Sequence, residues 1–300
     1  MPTVELVRVR KTYDHFVAVN DLSFQIQEGE VFGLLGPNGA GKTSTIRMMI
    51  GIMVPDSGEV RLFGQPFDRS MLQRVGYLPE ERGLYKKMKI IDHLIFLGRM
   101  HGLDADEARR RVLAWSNKLD ISDRLDNKVE EFSKGMQQKI QFIAALLHDP
   151  DFVIMDEPFS GLDPVNSALL KNVLLELKQR GKTILFSTHQ MDQVEKLCDS
   201  ICLIDHGRAV LQGELKAIKA GFGRNSVEIH YDGNGHFLEN SRLVSTYNNY
   251  GNYVEIGLAP GADPQELLRT VSSQSKISKF ELKEPSLEQI FIETVSKNNA

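Results

Sequence analysis

The stretch GPNGAGKTS, residues 36–44, constrains this chain more than any other part of it. It fits G-x-x-x-x-G-K-[ST] in full, from Gly36 through Thr43. Chemistry accounts for the spacing. Gly36, Gly39 and Gly41 let the backbone curl so that successive N–H groups point inward at phosphate oxygens. Lys42 brings a positive charge for the β- and γ-phosphates, and Thr43 a hydroxyl for Mg²⁺. Pro37, Asn38, Ala40 and Ser44 complete the loop. Before it, EVFGLLG predicts a short buried strand; after it, TSTIRMMIGIM predicts a helix stopped by VPDSG. The positive N-terminal end of that helix adds to the cradle.

A phosphate cradle between strand and helix calls for an α/β fold, and the rest of the chain supplies one. DFVIMDEP, NSALLKNVLLELKQRG, KTILFST and SICLIDHG alternate strand with helix, which implies a mainly parallel sheet covered on both faces. In FVIMDEP, four apolar residues lead to Asp156, a carboxylate able to reach Mg²⁺, often through water. Glu157 is its neighbour and suits the orientation and activation of an attacking water. Residues 2–32 alternate as strands. From about Met71 to Pro150 the pattern is mostly helical and polar. After about Leu215 it turns Gly-, Asn- and Ser-rich, with weak strands at NSVEIHY and YVEIGL and a terminal helix, SLEQIFIETVSK. We expect a separate small α+β domain there.

The helix start in EFSKGMQQKIQFIAALLHDP raises a question. Ile140, Ile143, Ala144 and Leu147 mark a buried helical face, and Ser133 suits an N-cap. Gly135 in the first turn costs about 1 kcal/mol against alanine. Such a cost suggests that something needs close access to the backbone.

Composition narrows the partners. With 36 Lys plus Arg against 40 Asp plus Glu, the net charge of −4 provides no global basic field for nucleic acid. From Lys216 onward, nine basic residues face ten acidic ones, so the tail offers no basic patch either. Cys198 and Cys202 alone make no disulfide framework, which favours a cytosolic setting. No apolar run approaches the ~18–20 residues of a membrane helix, and MPTVELVRVRKTY lacks the apolar core of a signal peptide. Any work at a membrane would go through a partner.

On these motifs the chain resembles the ATP-binding subunit of an ABC transporter over roughly residues 1–215. The resemblance implies a P-loop NTPase cassette with a parallel core sheet, an antiparallel β subdomain and a helical subdomain at about 84–150. Residues 216–300 would form the small accessory domain. The family's signature Leu-Ser-Gly-Gly-Gln corresponds to Phe132-Ser133-Lys134-Gly135-Met136, so Ser133 and Gly135 survive in a divergent setting. In the family two cassettes pack head to tail, and this helix start caps the γ-phosphate held by the other copy. That would explain the glycine.

Other assignments rest on the same resemblance. Tyr13 looks like the aromatic that stacks on adenine, and SGLD, ending in Asp163, like the loop that crosses to the partner. His189 in STHQM resembles the histidine that senses the γ-phosphate. In GYLPEERGLY, Glu80 stands where the family commonly has glutamine; it could hold Mg²⁺ but cannot donate an amide hydrogen bond. That wording and the tail's EPSLEQIFIETV are similar to a subgroup serving sodium- and drug-extruding exporters.

The implied function is ATP hydrolysis with Mg²⁺, coupled to export, by a homodimer or a heterodimer with a similar cassette. It would act on the cytoplasmic face of the membrane with a separately encoded integral-membrane permease, and no nucleic acid is expected. The rivals are a non-transport member acting on DNA or ribosomes and an ATPase governed by a ligand-sensing tail. About ninety residues separate Gly41 from Ser133, too few for the long coiled coils of DNA-repair versions.

Overall fold

The computed structural model describes residues 1–81, 83–222, 226–233, 235–240 and 242–298. Arg82 of YLPEERGLY and Asn225 at the head of NSVEIHY lie outside the described residues. The chain divides into two compact units, Met1–Gly213 and Glu214–Ala300.

In the first unit, β1 (Pro2–Tyr13) and β2 (Phe16–Gln27) form an antiparallel hairpin. β3 (Val31–Leu35) leads into the glycine-rich loop and α1 (Lys42–Met49). Strands β4 (Ser57–Leu62) and β5 (Gln65–Pro66) complete a four-stranded sheet of order β2-β1-β4-β5. Next come β6 (Val75–Leu78), α2 (Ile90–Met100), α3 (Ala105–Lys118) and α4 (Lys134–Leu146). The unit closes with β7 (Phe152–Asp156), α5 (Pro164–Gln179), β8 (Thr183–Thr188), α6 (Met191–Leu197), β9 (Ser200–Asp205) and β10 (Arg208–Glu214).

The second sheet has the order β10-β9-β3-β8-β7-β6, with β9, β3, β8, β7 and β6 paired in parallel. Every residue of β3, β7 and β8 is buried, as expected for central strands covered on both faces. The hairpin, by contrast, buries alternate residues: Val4 and Leu6 from β1, Leu22, Phe24 and Ile26 from β2. These pack with Phe32, Leu34, Ile46 and Met49 into one core that joins the small sheet to α1 and β3. Phe24 stacks on Phe32 with ring centroids 5.2 Å apart.

Two features correct the sequence reading. The polar helical stretch expected from about Met71 contains a strand, β6, whose four residues are too few to show a periodicity. It pairs in register with β7, Val75 opposite Phe152 and Leu78 opposite Met155. A side chain at Gly76 would meet the Ala145 carbonyl at 2.2 Å, so the glycine lets α4 lie against the strand.

The second unit is richer than two weak strands and a helix. It contains α7 (Leu215–Phe222), β11 (Ser226–Asp232), β12 (Val244–Asn249), β13 (Val254–Leu258), α8 (Pro264–Gln274), β14 (Lys276–Lys283) and α9 (Leu287–Asn298). Its antiparallel sheet has the order β12-β13-β11-β14 and packs Val227, Ile229, Val254 and Ile256 against Leu267 and Val271 of α8. On β11, buried Glu228 accepts hydrogen bonds from Lys279 at 2.7 Å and from Lys283, and faces His230 at 2.8 Å. Those bonds hold its carboxyl at about 2.

Candidate nucleotide site

The site gathers where parallel strands end. β3, β8 and β7 lie side by side, and their carboxyl ends are Leu35, Thr188 and Asp156. In open parallel sheets this edge is where ligands bind. The glycine loop follows β3, Glu157 follows β7, His189 follows β8, and Glu80 lies two residues beyond β6.

The loop adopts the curl that its glycines permit. Gly36, Gly39 and Gly41 have φ of +150°, +82° and +107°. A side chain at Gly36 would meet the Ile204 carbonyl at 2.2 Å, and one at Gly41 the Ala18 carbonyl at 2.4 Å. Both positions are closed to any other residue on steric grounds. Lys42 is buried and donates to the carbonyls of Gly36 at 2.7 Å and Pro37 at 3.1 Å. Burial lowers its pKa, opposed by the charges of Glu157, Asp156 and Glu80.

Thr43 Oγ1 donates to Asp156 Oδ2 at 3.0 Å, and Ser187 Oγ donates to Asp156 Oδ1. A hydroxyl and a carboxylate in contact suit a hard cation that takes one or two protein oxygens and the rest from phosphate and water. Among the described residues no three His, Cys, Asp or Glu side chains cluster as a self-sufficient metal cage. The Thr43–Asp156 oxygen pair fits Mg²⁺.

Glu157 is almost fully buried and held tightly. Its backbone has φ +50°, a left-handed conformation that costs a non-glycine residue about 1–3 kcal/mol. The Glu157 N–H donates to the Ser187 carbonyl at 3.1 Å, which fixes the kink. One carboxylate oxygen faces His189 Nδ1 at 2.9 Å; the other accepts from Thr188 Oγ1 at 3.2 Å.

Tyr13, Asn38, Gly39, Gly41, Lys42, Thr43, Ser44, Glu80, Asp156 and Glu157 line one cleft of about 420 Å³. Tyr13 lies at its rim, with its hydroxyl 3.4 Å from Ser44 Oγ. Gly36, Pro37 and Ala40 support the loop from outside the lining, and His189 joins through Glu157.

Ser133, Gly135 and Asp163 do not line the cleft. Ser133 caps α4, accepting from the Met136 N–H at 3.4 Å, and Asp163 caps α5, accepting from the Asn166 N–H at 2.9 Å. A Cβ at Gly135 would make only ordinary contacts, 3.5 Å to Leu162 and 3.8 Å to Asn166. Among the described residues nothing requires glycine there.

Sequence reasoning missed several contributors. Phe16 and Ala18 line the cleft from β2. Ser187 and Thr188 end a fully buried strand, and two hydroxyls there were a signal that TILFST carried. Gln138 and Gln141, one turn apart on α4, donate to the carbonyls of Pro158 at 3.3 Å and Glu81 at 3.4 Å. The helix that starts at Ser133 thus touches the loops beside Glu157 and Glu80.

Comparison with known proteins decides the family. The ABC transporter family model matches residues 19–160. The uncharacterized ABC transporter ATP-binding protein YhaQ of Bacillus subtilis (strain 168) is 45% identical over 287 residues, covering 96% of each chain. This chain belongs to the ATP-binding subunits of ABC transporters. Its cassette binds ATP and hydrolyses it for transport. A second model, ATP-binding protein DrrA1-3-like, C-terminal domain, matches residues 213–295. The Nod factor export ATP-binding protein I of Paraburkholderia xenovorans (strain LB400) is 40% identical over 230 residues, 75% of this chain and 76% of its own. A solved ATP-binding subunit of an ABC transporter superposes with a TM-score of 0.69 at 33% identity, covering 74% of this chain and 93% of its own. Cassettes of this family dimerise and work with permease subunits.

Proposed function

We propose that this chain drives an exporter by closing, as a pair of cassettes, on two ATP molecules. The observation that carries the reading is the contact of Glu157 with His189, at 2.9 Å, in the same carboxyl-edge cluster as Lys42 and Asp156. A base, a group that can orient it and a phosphate-binding lysine stand together, as phosphoryl transfer to water requires. Glu157 takes the proton of the attacking water, and His189 fixes the γ-phosphate. Lys42 and the loop amides hold the β- and γ-phosphates. Tyr13 stacks on the adenine, and Asp163 meets the partner cassette. Thr43, Asp156 and Glu80 hold Mg²⁺, which neutralises phosphate charge when bound.

Ser133 and Gly135 act on the other copy's nucleotide. A hydroxyl and a helix N-terminus free of side-chain obstruction form an anion site. That neither of them lines its own cleft supports a role in trans.

The helical stretch from about 84 to 150 would meet the permease. An apolar cleft of about 350 Å³ lies where that stretch meets residues 50–77, lined by Ile50, Ile52, Leu72, Tyr77, Leu97 and Ala144, among others. Tyr85, Phe96 and Met100 on the same stretch are exposed as well. No described helix is long and apolar enough to cross a membrane, which fits a subunit held at the cytoplasmic face through its partner. Export as the direction is supported by the Nod factor export relative. An ion such as sodium, or a drug, is the cargo suggested by YLPEERGLY.

Glu157→Gln tests the base. It should bind ATP normally, hydrolyse it at least ~100-fold more slowly, and accumulate an ATP-bound dimer on size exclusion. Hydrolysis at the wild-type rate would refute the assignment.

A further inference from the structure

We infer that Thr188 is a positioning residue for hydrolysis, aiming the Glu157 carboxylate from the end of β8; this rests on the reading of Glu157 as the base. Thr188 is buried, and its register partner on β3 is Leu35, the residue that launches the phosphate loop. Its hydroxyl accepts the Gln190 N–H at 3.1 Å. With that lone pair engaged, the hydroxyl proton is directed to Glu157 Oε2, 3.2 Å away.

The second contact matters because of where the first one is. His189 holds Oε1 alone, and the terminal torsion of a glutamate is soft. A carboxylate held at one oxygen can swing about its last bond; held at both, it presents one plane to the water it must deprotonate. Thr188 suits the task because a β-branched side chain is stiff at χ1. Together with the Glu157 N–H on the Ser187 carbonyl, β8 grips the residue at its backbone and at one oxygen. Thr188 does not line the nucleotide cleft. Its effect therefore belongs to turnover and not to ATP affinity.

The experiment is steady-state ATPase kinetics with a direct ATP-binding titration, on the full chain. Thr188→Val keeps the shape and removes the hydroxyl. It should lower kcat at least ~10-fold, as small misplacements of a reacting group do, with ATP affinity unchanged. Thr188→Ser, which restores both hydrogen bonds, should recover most of the rate. In the Glu157→Gln background, Thr188→Val should cost nothing more, since there is no base left to aim. Thr188→Ala, assayed alongside, covers the case in which valine disturbs the strand end. Wild-type turnover in both Thr188→Val and Thr188→Ala would overturn the inference. So would a serine variant as slow as the valine one, or a further loss in the Glu157→Gln background. If Glu157→Gln alone ran at full rate, the base assignment would fail instead, and the two failures are told apart.

Discussion

Lys42 has both of its environments on display. Burial pulls its pKa down while Glu157, Asp156 and Glu80 pull it back up, so one buried cation answers three carboxylates. Removing it leaves those charges facing a polyanion with no lysine between them. Lys42→Ala should therefore abolish ATP binding in a direct titration, and unchanged affinity would refute the cradle. The residues of the glycine loop were readable because their backbone geometry is local: φ of +150°, +82° and +107° at Gly36, Gly39 and Gly41 translates into a fixed glycine spacing. Glu157's partners were not readable in that way. Thr188 and His189 lie more than thirty positions onward, and only the pairing of β7 with β8 puts them against it.

The same distinction holds for elements. The buried strands β3, β7 and β8 announce themselves as apolar runs ending in polar chemistry. β6 and β14 do not. β14 carries its core residues Ile277 and Phe280 three apart, because a register shift opposite His230 and Tyr231 breaks the two-residue alternation. α8 had a legible start, with Asp263 accepting from the Gln265 N–H at 2.9 Å and Pro264 in the first turn, and the sequence reading passed over it.

Where α2 and α4 end, His101 and His148 stack with centroids 3.9 Å apart. His148 Nε2 donates to the Val75 carbonyl, and the charges of Arg111 and Asp149 act on the ring. Burial and the neighbouring His101 push His148 down to about 4, and burial also lowers His101 and His93. The unfolded chain, with histidines near 6.5, then binds more protons than the folded one, so stability rises with pH in that range. It should be intact above about pH 6.5 and fall as pH drops toward about 4, by up to about 1.4 kcal/mol per pH unit for each proton taken up. Urea unfolding at a series of pH values reads this directly, and His148→Gln should flatten the slope.

For the whole molecule, the decisive fact is a division of parts. Lys42, Thr43, Asp156 and Glu157 share one cleft, while Ser133 and Gly135 start a helix and do not line it. If the second group serves another copy's nucleotide, a defect in each half should complement the other. Gly135→Asp is the suitable lesion: a side chain fits there, and a carboxylate in the first turn favours the helix while repelling a triphosphate. Alone, it should fold and bind ATP but hydrolyse poorly, and Lys42→Ala should be inactive. Mixed, the two form some dimers in which one site has its own Lys42 and the Gly135 of the partner subunit. ATPase activity should then reappear, rising with total protein concentration as pairing does. A mixture as inactive as its components, with heterodimers detected, would mean that each chain hydrolyses with its own residues alone, and the shared-site scheme would fall.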